Sequence, residues 1–251
     1  MAEAKAKLTL VLLPGMDGTA TLFEPLIAAL GGSFHIRCVA YPCDQALGYL
    51  ELAEVARQAL PAEGKFIVLG ESFSGPIAIS LAASQSAGLL GVILCSTFAR
   101  NPHPLFKPLR RLADILPVKL LPNAVLSYFL MGRFANPQWR AALDGALAQV
   151  SAAAFRARLK AVLAVDVSAQ LRRLQTPLLY LQARHDRVVP AAAARHIAST
   201  YPATQILALD GPHFLLQIAP QAAAAAIQAY ALKLAEASET PLTRSRQNLE
   251  A

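Results

Sequence analysis

Over the first hundred residues, apolar runs alternate with stretches in which apolar residues recur every three or four positions. The strand candidates are Leu8 to Leu13, Phe34 to Tyr41, Phe66 to Leu69 and Leu89 to Ser96. Phe66 to Leu69, short, continuous and partly β-branched, predicts a strand buried on both faces, and Leu8 to Leu13 a second buried strand. Between the strand candidates, Leu22, Leu26, Ile27 and Leu30 mark one helix, closed by Gly31 and Gly32. Leu50, Ala53, Val55, Ala56 and Leu60 mark a second over about 47–60, and Pro76 to Ala83 carries a third. Strand and helix in strict alternation predict a parallel sheet covered on both sides, with a ligand site at the carboxyl ends of its strands.

The alternation stops at Phe98 and resumes at Thr176. Between them come prolines (Pro102, Pro104, Pro108, Pro117, Pro122, Pro137) and then helical patterns over Trp139 to Val150 and Ala152 to Val165. This predicts a helical cap, residues 99–174, inserted into a core made of residues 1–98 and 175–236. Phe129, Leu130, Phe134, Trp139 and Phe155 are candidates for the walls of a pocket beneath it, or for plain core. A strand over Thr176 to Ala183, a helix over Ala191 to Tyr201, a strand over Thr204 to Leu209 and a helix over about Pro220 to Glu236 complete the core. The polar stretch 237–251 is expected to be disordered.

Composition narrows the class. A chain of 251 residues, 55% hydrophobic and 16% charged, has ample material for one domain with an insertion and is not disordered as a whole. Cys38, Cys43 and Cys95 have no metal-ligand spacing and cannot all pair, which favours a reducing compartment. The first apolar run ends at Pro14, too early for a secretory signal, and no run approaches the ~20 residues of a membrane span. A cytoplasmic protein is expected. The formal net charge is +7, and the cap holds more than all of it: Arg100, Lys107, Arg110, Arg111, Lys119, Arg133, Arg140, Arg156, Arg158, Lys160, Arg172 and Arg173 face only Asp114, Asp144 and Asp166. Such a surface suits an anionic substrate or an acidic partner, or is simply a solvated face. Nucleic acid is disfavoured, because the charges lie among leucines and alanines with no groove-reading or base-stacking motif.

Candidate chemistry sits where strands end. In Lys65-Phe-Ile-Val-Leu-Gly-Glu-Ser-Phe-Ser-Gly75, the strand gives way to a helix at Ser72, with Gly70, Ser74 and Gly75 small enough for backbone and helix to approach. A turn this tight holds its central residue in a sparsely populated backbone region. The first strand runs into Pro14-Gly-Met-Asp-Gly-Thr19. The fifth is followed by Arg184-His-Asp-Arg-Val-Val-Pro190, and the sixth by Asp210-Gly-Pro-His-Phe214.

These motifs resemble those of the α/β-hydrolase superfamily: the nucleophile elbow, with Ser74 in place of the last glycine of G-x-S-x-G, then an acid loop and a histidine loop in the order Ser, Asp, His. The resemblance covers about residues 8 to 235 and implies an α/β-hydrolase fold. It implies that Ser72 is the nucleophile, His213 the base and Asp186 the acid, with Met16 and Phe73 supplying oxyanion-hole N–H groups. His185 and Asp210 are taken as structural, and His35, His103 and His196 as remote from the site. The implied reaction is ester or thioester hydrolysis. Size, cap and arginines resemble the carboxylesterases that demethylate pimeloyl-acyl-carrier-protein methyl ester in biotin synthesis, which implies an acidic carrier protein docking on Arg156, Arg158 and Lys160. A broad short-chain esterase or thioesterase, and a catalytically silent binder of a small ligand, remain open. No metal cluster or phosphate-binding glycine loop is present in the sequence, and no cofactor is expected.

Overall fold

In a computed structural model, residues 7–111 and 123–239 are described. Pro117, Pro122, Asp114, Lys119 and the stretch 240–251 lie outside them. Six strands, β1 (Thr9–Leu13), β2 (His35–Cys38), β3 (Phe66–Glu71), β4 (Leu89–Cys95), β5 (Leu178–Ala183) and β6 (Gln205–Leu209), form one parallel sheet in the order β2-β1-β3-β4-β5-β6. The helices are α1 (Glu24–Leu30), α2 (Tyr49–Gln58), α3 (Gly75–Ala83), α4 (Asn123–Met131), α5 (Pro137–Ala148), α6 (Ala152–Ala164), α7 (Ser168–Arg172), α8 (Ala191–Thr200), α9 (Leu215–Ile218) and α10 (Pro220–Glu239). The last of these runs to Glu239, past the expected boundary at Glu236.

The unbroken apolar runs are explained by cover on both faces. Side chains alternate across a strand, so Val11, Leu13, Val68, Val92 and Leu94 pack with α2, α3, α7 and α8. Leu10, Leu12, Ile67, Leu69, Ile93 and Cys95 pack on the other side with α1, α9 and α10. The expected strand over Phe34 to Tyr41 is shorter, because β2 is an edge with alternate residues in solvent. The chain order reverses about β1, with β2 on one side and β3 on the other, which leaves a crevice beyond the carboxyl ends of β1 and β3.

Between β4 and β5 the chain leaves the sheet through a neck. Asn101 N–H bonds Val165 O at 2.9 Å, Val167 N–H bonds Ala99 O at 2.8 Å, and Arg100 pairs antiparallel with Asp166. The excursion therefore closes near Val167, and the expected boundary at 174 is too late: α7 contributes Leu171, with Leu174 behind it, to the core under α3 and α8. A second core, Leu22, Met131, Leu143, Ala146 and Phe214, joins α4 and α5 to the sheet's carboxyl edge and takes in Trp139. No helix among the described residues is long and apolar enough to cross a membrane.

One surface expectation fails. Arg158, expected on the basic outer face, is 1% exposed. Its place in the apolar stripe of α6 turns it inward, where its guanidinium donates to the carbonyls of Met16, Asp17 and Pro42 at 2.8–2.9 Å. Arg156 and Lys160 are half-buried and line a groove of about 840 Å³ with Arg110 and Tyr49.

Candidate active site

Ser72 sits between β3 and α3 with φ 47°, the left-handed region that side chains other than glycine's rarely adopt. Its neighbours hold it there. Thr97, just after β4, donates its hydroxyl to the Ser72 carbonyl. A Cβ on Gly75 would overlap the Thr97 side chain, and one on Gly70 would come 2.7 Å from the Ser74 carbonyl oxygen, so both positions need glycine. Ser74, read from the sequence as a substitute glycine, does more than stay small. It donates its hydroxyl to Pro14 O and binds Tyr41 Oη at 2.7 Å, tying the turn to the loop after β1.

The three residues that the sequence separates widely meet at this edge. Ser72 Oγ is 2.8 Å from His213 Nε2, and His213 Nδ1 is 2.9 and 3.0 Å from the two carboxylate oxygens of Asp186. The imidazole is 4% exposed and the carboxylate 7%. Asp186 Oδ1 also accepts the N–H groups of Val188 and Val189 at 2.8 Å each, which fixes the carboxylate from behind. His185 and Asp210 pair with each other at 2.8 Å, outside this line and in solvent.

A cavity of about 500 Å³ opens over Ser72 and His213. Its floor is Met16, Asp17, Glu71 and Gln217; its walls come from the insertion, with Leu126, Phe129 and Leu130 of α4, Leu143 and Leu147 of α5 and Phe155 of α6. Of the five expected wall residues, Phe129, Leu130 and Phe155 line it. Phe134 lies against His185, and Trp139 packs in the core of the insertion. Met16 reaches the cavity; Phe73 is buried and stacked on Tyr49 at 4.7 Å between ring centres. His103, expected to be remote, lines the cavity: its Nε2 lies 2.7 Å from Val188 O, which draws the proline-rich loop over the acid loop. Sequence spacing gave no signal of that fold-back. Among the described residues no cluster of three or more His, Cys, Asp or Glu could hold a metal ion.

Glu71, just before Ser72, was unremarked in the sequence because its position in a strand end carries no motif. It is buried, and Gln217 Nε2 donates to its Oε1 at 3.0 Å. Burial pushes its carboxyl up to about 7; the Gln217 bond opposes that rise, Asp17 adds to it and His213 counters it more weakly. The folded chain therefore holds this proton between pH 4.5 and about 7 while the unfolded chain releases it. Stability falls as pH rises through that window, by about 3 kcal/mol at most, and the loss is complete above it. Glu71→Gln is expected to remove this part of the slope. Thermal melts of both proteins from pH 4 to 8 check it, and parallel curves would show that Glu71 does not titrate there.

Comparison with known proteins gives consistent relatives. A family model described as "Alpha/beta hydrolase family" matches residues 10–226. A phytyl ester synthase of Arabidopsis thaliana is 32% identical over 136 residues, 49% of this chain but only 19% of that protein's length. A Stutzerimonas stutzeri protein, provisionally named carbamate hydrolase RutD, is 27% identical over 229 residues, 80% of this chain and 83% of its own. Among solved structures, a thermophilic esterase from Thermogutta terrifontis superposes with TM-score 0.77 at 20% identity, covering 90% of both chains, a likeness of fold.

Proposed function

The chain belongs to the α/β-hydrolase family, and from that premise we propose that it is a serine hydrolase of carboxylic esters or thioesters, working through an acyl-enzyme. The observation that carries the reading is the line Ser72 Oγ, His213, Asp186, with hydrogen-bond contacts of 2.8 and 2.9 Å at its two joints. In this reading His213 Nε2 accepts the Ser72 proton as Oγ attacks the ester carbonyl. Asp186 holds Nδ1–H and stabilises the imidazolium. The N–H groups of Met16 and Phe73 receive the oxyanion, and the Ser72 peptide, strained and fixed by Thr97, keeps Oγ aimed into the cavity. Collapse of the tetrahedral intermediate passes the proton from His213 to the departing alcohol or thiol. Water, deprotonated by His213, then releases the acid.

The apolar walls of α4, α5 and α6 support an acyl group as the part of the substrate that is buried. The narrower reading, an ester presented by an acidic acyl carrier protein, keeps Arg156 and Lys160 at the 840 Å³ groove as docking points and loses Arg158. Three free thiols, Cys38, Cys43 and Cys95, support a reducing, cytoplasmic setting.

Mixing the protein with p-nitrophenyl acetate is expected to release a rapid burst of about one equivalent of nitrophenolate before steady turnover. A fluorophosphonate should add its mass to the peptide that contains Ser72. Absence of both burst and label would leave the silent small-ligand binder as the better reading of this fold.

A further inference from the structure

Arg158 is the largest fully buried side chain among the described residues, and its position on α6 is 142 residues from Met16 in the chain. Its Nη1 donates to Met16 O at 2.9 Å and to Asp17 O at 2.8 Å, and its Nη2 to Pro42 O at 2.9 Å. No carboxylate among the described residues bonds it; the Asp17 carboxylate turns back to the Thr19 N–H and hydroxyl at 2.9 and 2.7 Å. A cation held inside a protein by three carbonyls, with the Cys43 side chain and the Tyr41 ring beside it, is a costly arrangement when no carboxylate bonds it. The loop is shaped to receive it. Gly18 has φ 71°, and a Cβ there would overlap the guanidinium.

The loop that Arg158 grips carries the Met16 N–H. Gly15, Met16, Asp17 and Gly18 form a tight turn closed by Gly18 N–H to Gly15 O at 3.1 Å, in which the N–H of the second residue needs no partner inside the turn. Pro14 is anchored to the nucleophile turn by the Ser74 hydroxyl. Within the turn the carbonyls of Met16 and Asp17 take no part in the closing bond, and it is these two that Arg158 Nη1 holds. Two successive carbonyls drawn to one nitrogen fix both of their peptides.

The geometry points to Arg158 as a positioning residue of the proposed hydrolysis: from the inserted helices it locks the Met16–Asp17 turn and so sets the direction of the Met16 N–H that receives the oxyanion. Assembly of the oxyanion site is thereby conditional on α6 being seated. The inference rests on the esterase reading given above, and it goes beyond it by giving the insertion a part in the chemical step as well as in enclosing the acyl group.

The test uses the full chain and p-nitrophenyl butyrate. Arg158→Ala is expected to lower kcat by about 10²-fold, as loss of one oxyanion donor does, with KM changed by no more than about threefold. Arg158→Lys should recover part of that loss, since an ammonium supplies the charge but not the fork that spans three carbonyls. Ethylguanidinium at millimolar concentration should raise kcat of Arg158→Ala by about tenfold, and ethylammonium should not. Where Arg158→Ala fails to fold, Arg158→Met fills the same volume and carries the same comparison. Folded Arg158→Met or Arg158→Ala with kcat within about threefold of the parent would overturn the inference and leave the esterase reading intact. So would a loss that follows only the folded fraction and is not rescued. A parent protein with no burst and no Ser72 label would overturn both together.

Discussion

Ser72→Ala loses p-nitrophenyl ester turnover by about 10⁵-fold or more in kcat, and Ser72→Ala with His213→Ala loses no more than either alone. The reason is the 2.8 Å contact between Ser72 Oγ and His213 Nε2. In the proposed mechanism these atoms make one device: without the hydroxyl the imidazole has no proton to take, and without the imidazole the hydroxyl stays protonated and weakly nucleophilic. Removing either removes the whole covalent route. What survives is the residual acceleration of binding and oxyanion donation, roughly 10³-fold over water. The fold should be indifferent, because the turn is held by the Ser72 carbonyl through Thr97, by Ser74 through Pro14 and Tyr41, and by the glycines, none of which involves Oγ of Ser72. Circular dichroism melts and single-turnover assays check both halves. A folded Ser72→Ala protein that still turns over within about tenfold of the parent would move the nucleophile elsewhere.

Asp186→Asn should lower kcat by about 10⁴-fold with little change in KM. Asp186 has two tasks that compete in the variant. Its Oδ1 accepts two backbone N–H groups, from Val188 and Val189, while both oxygens face His213 Nδ1. An asparagine can give the backbone its single carbonyl oxygen only by turning its NH₂ toward the imidazole. Nδ1 must then accept, the ring proton moves to Nε2, and Ser72 faces a donor where it needs a base. Asp210→Asn is the control: its carboxylate bonds His185 in solvent, away from the Ser72–His213–Asp186 line, and a change of less than about twofold is expected. Comparable losses in both variants would mean that general electrostatics around the histidines, and not the seating of one ring, governs the rate.

How far these residues could be found before folding depends on the range of the signal. β3, the strand that ends at Ser72, was legible because burial on both faces demands an unbroken apolar run, and the turn after it because crowding demands Gly70 and Gly75. The same local rules placed Met16, Asp186 and His213 each at a strand's end, and parallel strands bring such ends to one edge. Edge strand β2 was overextended, since the apolar pattern continues past the residues that pair.

The sequence by itself determined the parallel sheet, the family and the residues gathered at its carboxyl edge, because strand burial and turn crowding act over a few neighbouring positions. Only tertiary structure decided that Arg158 points inward to the loop of Met16, that Glu71 loses its water, that Ser74 bonds Pro14 and that His103 folds back over Val188. An arginine in a helix has the same local pattern whether its outer neighbour is solvent or a turn 142 positions away. Which of the two it meets is settled by how the insertion packs, where desolvation and three carbonyl bonds compete over distances that no local pattern spans.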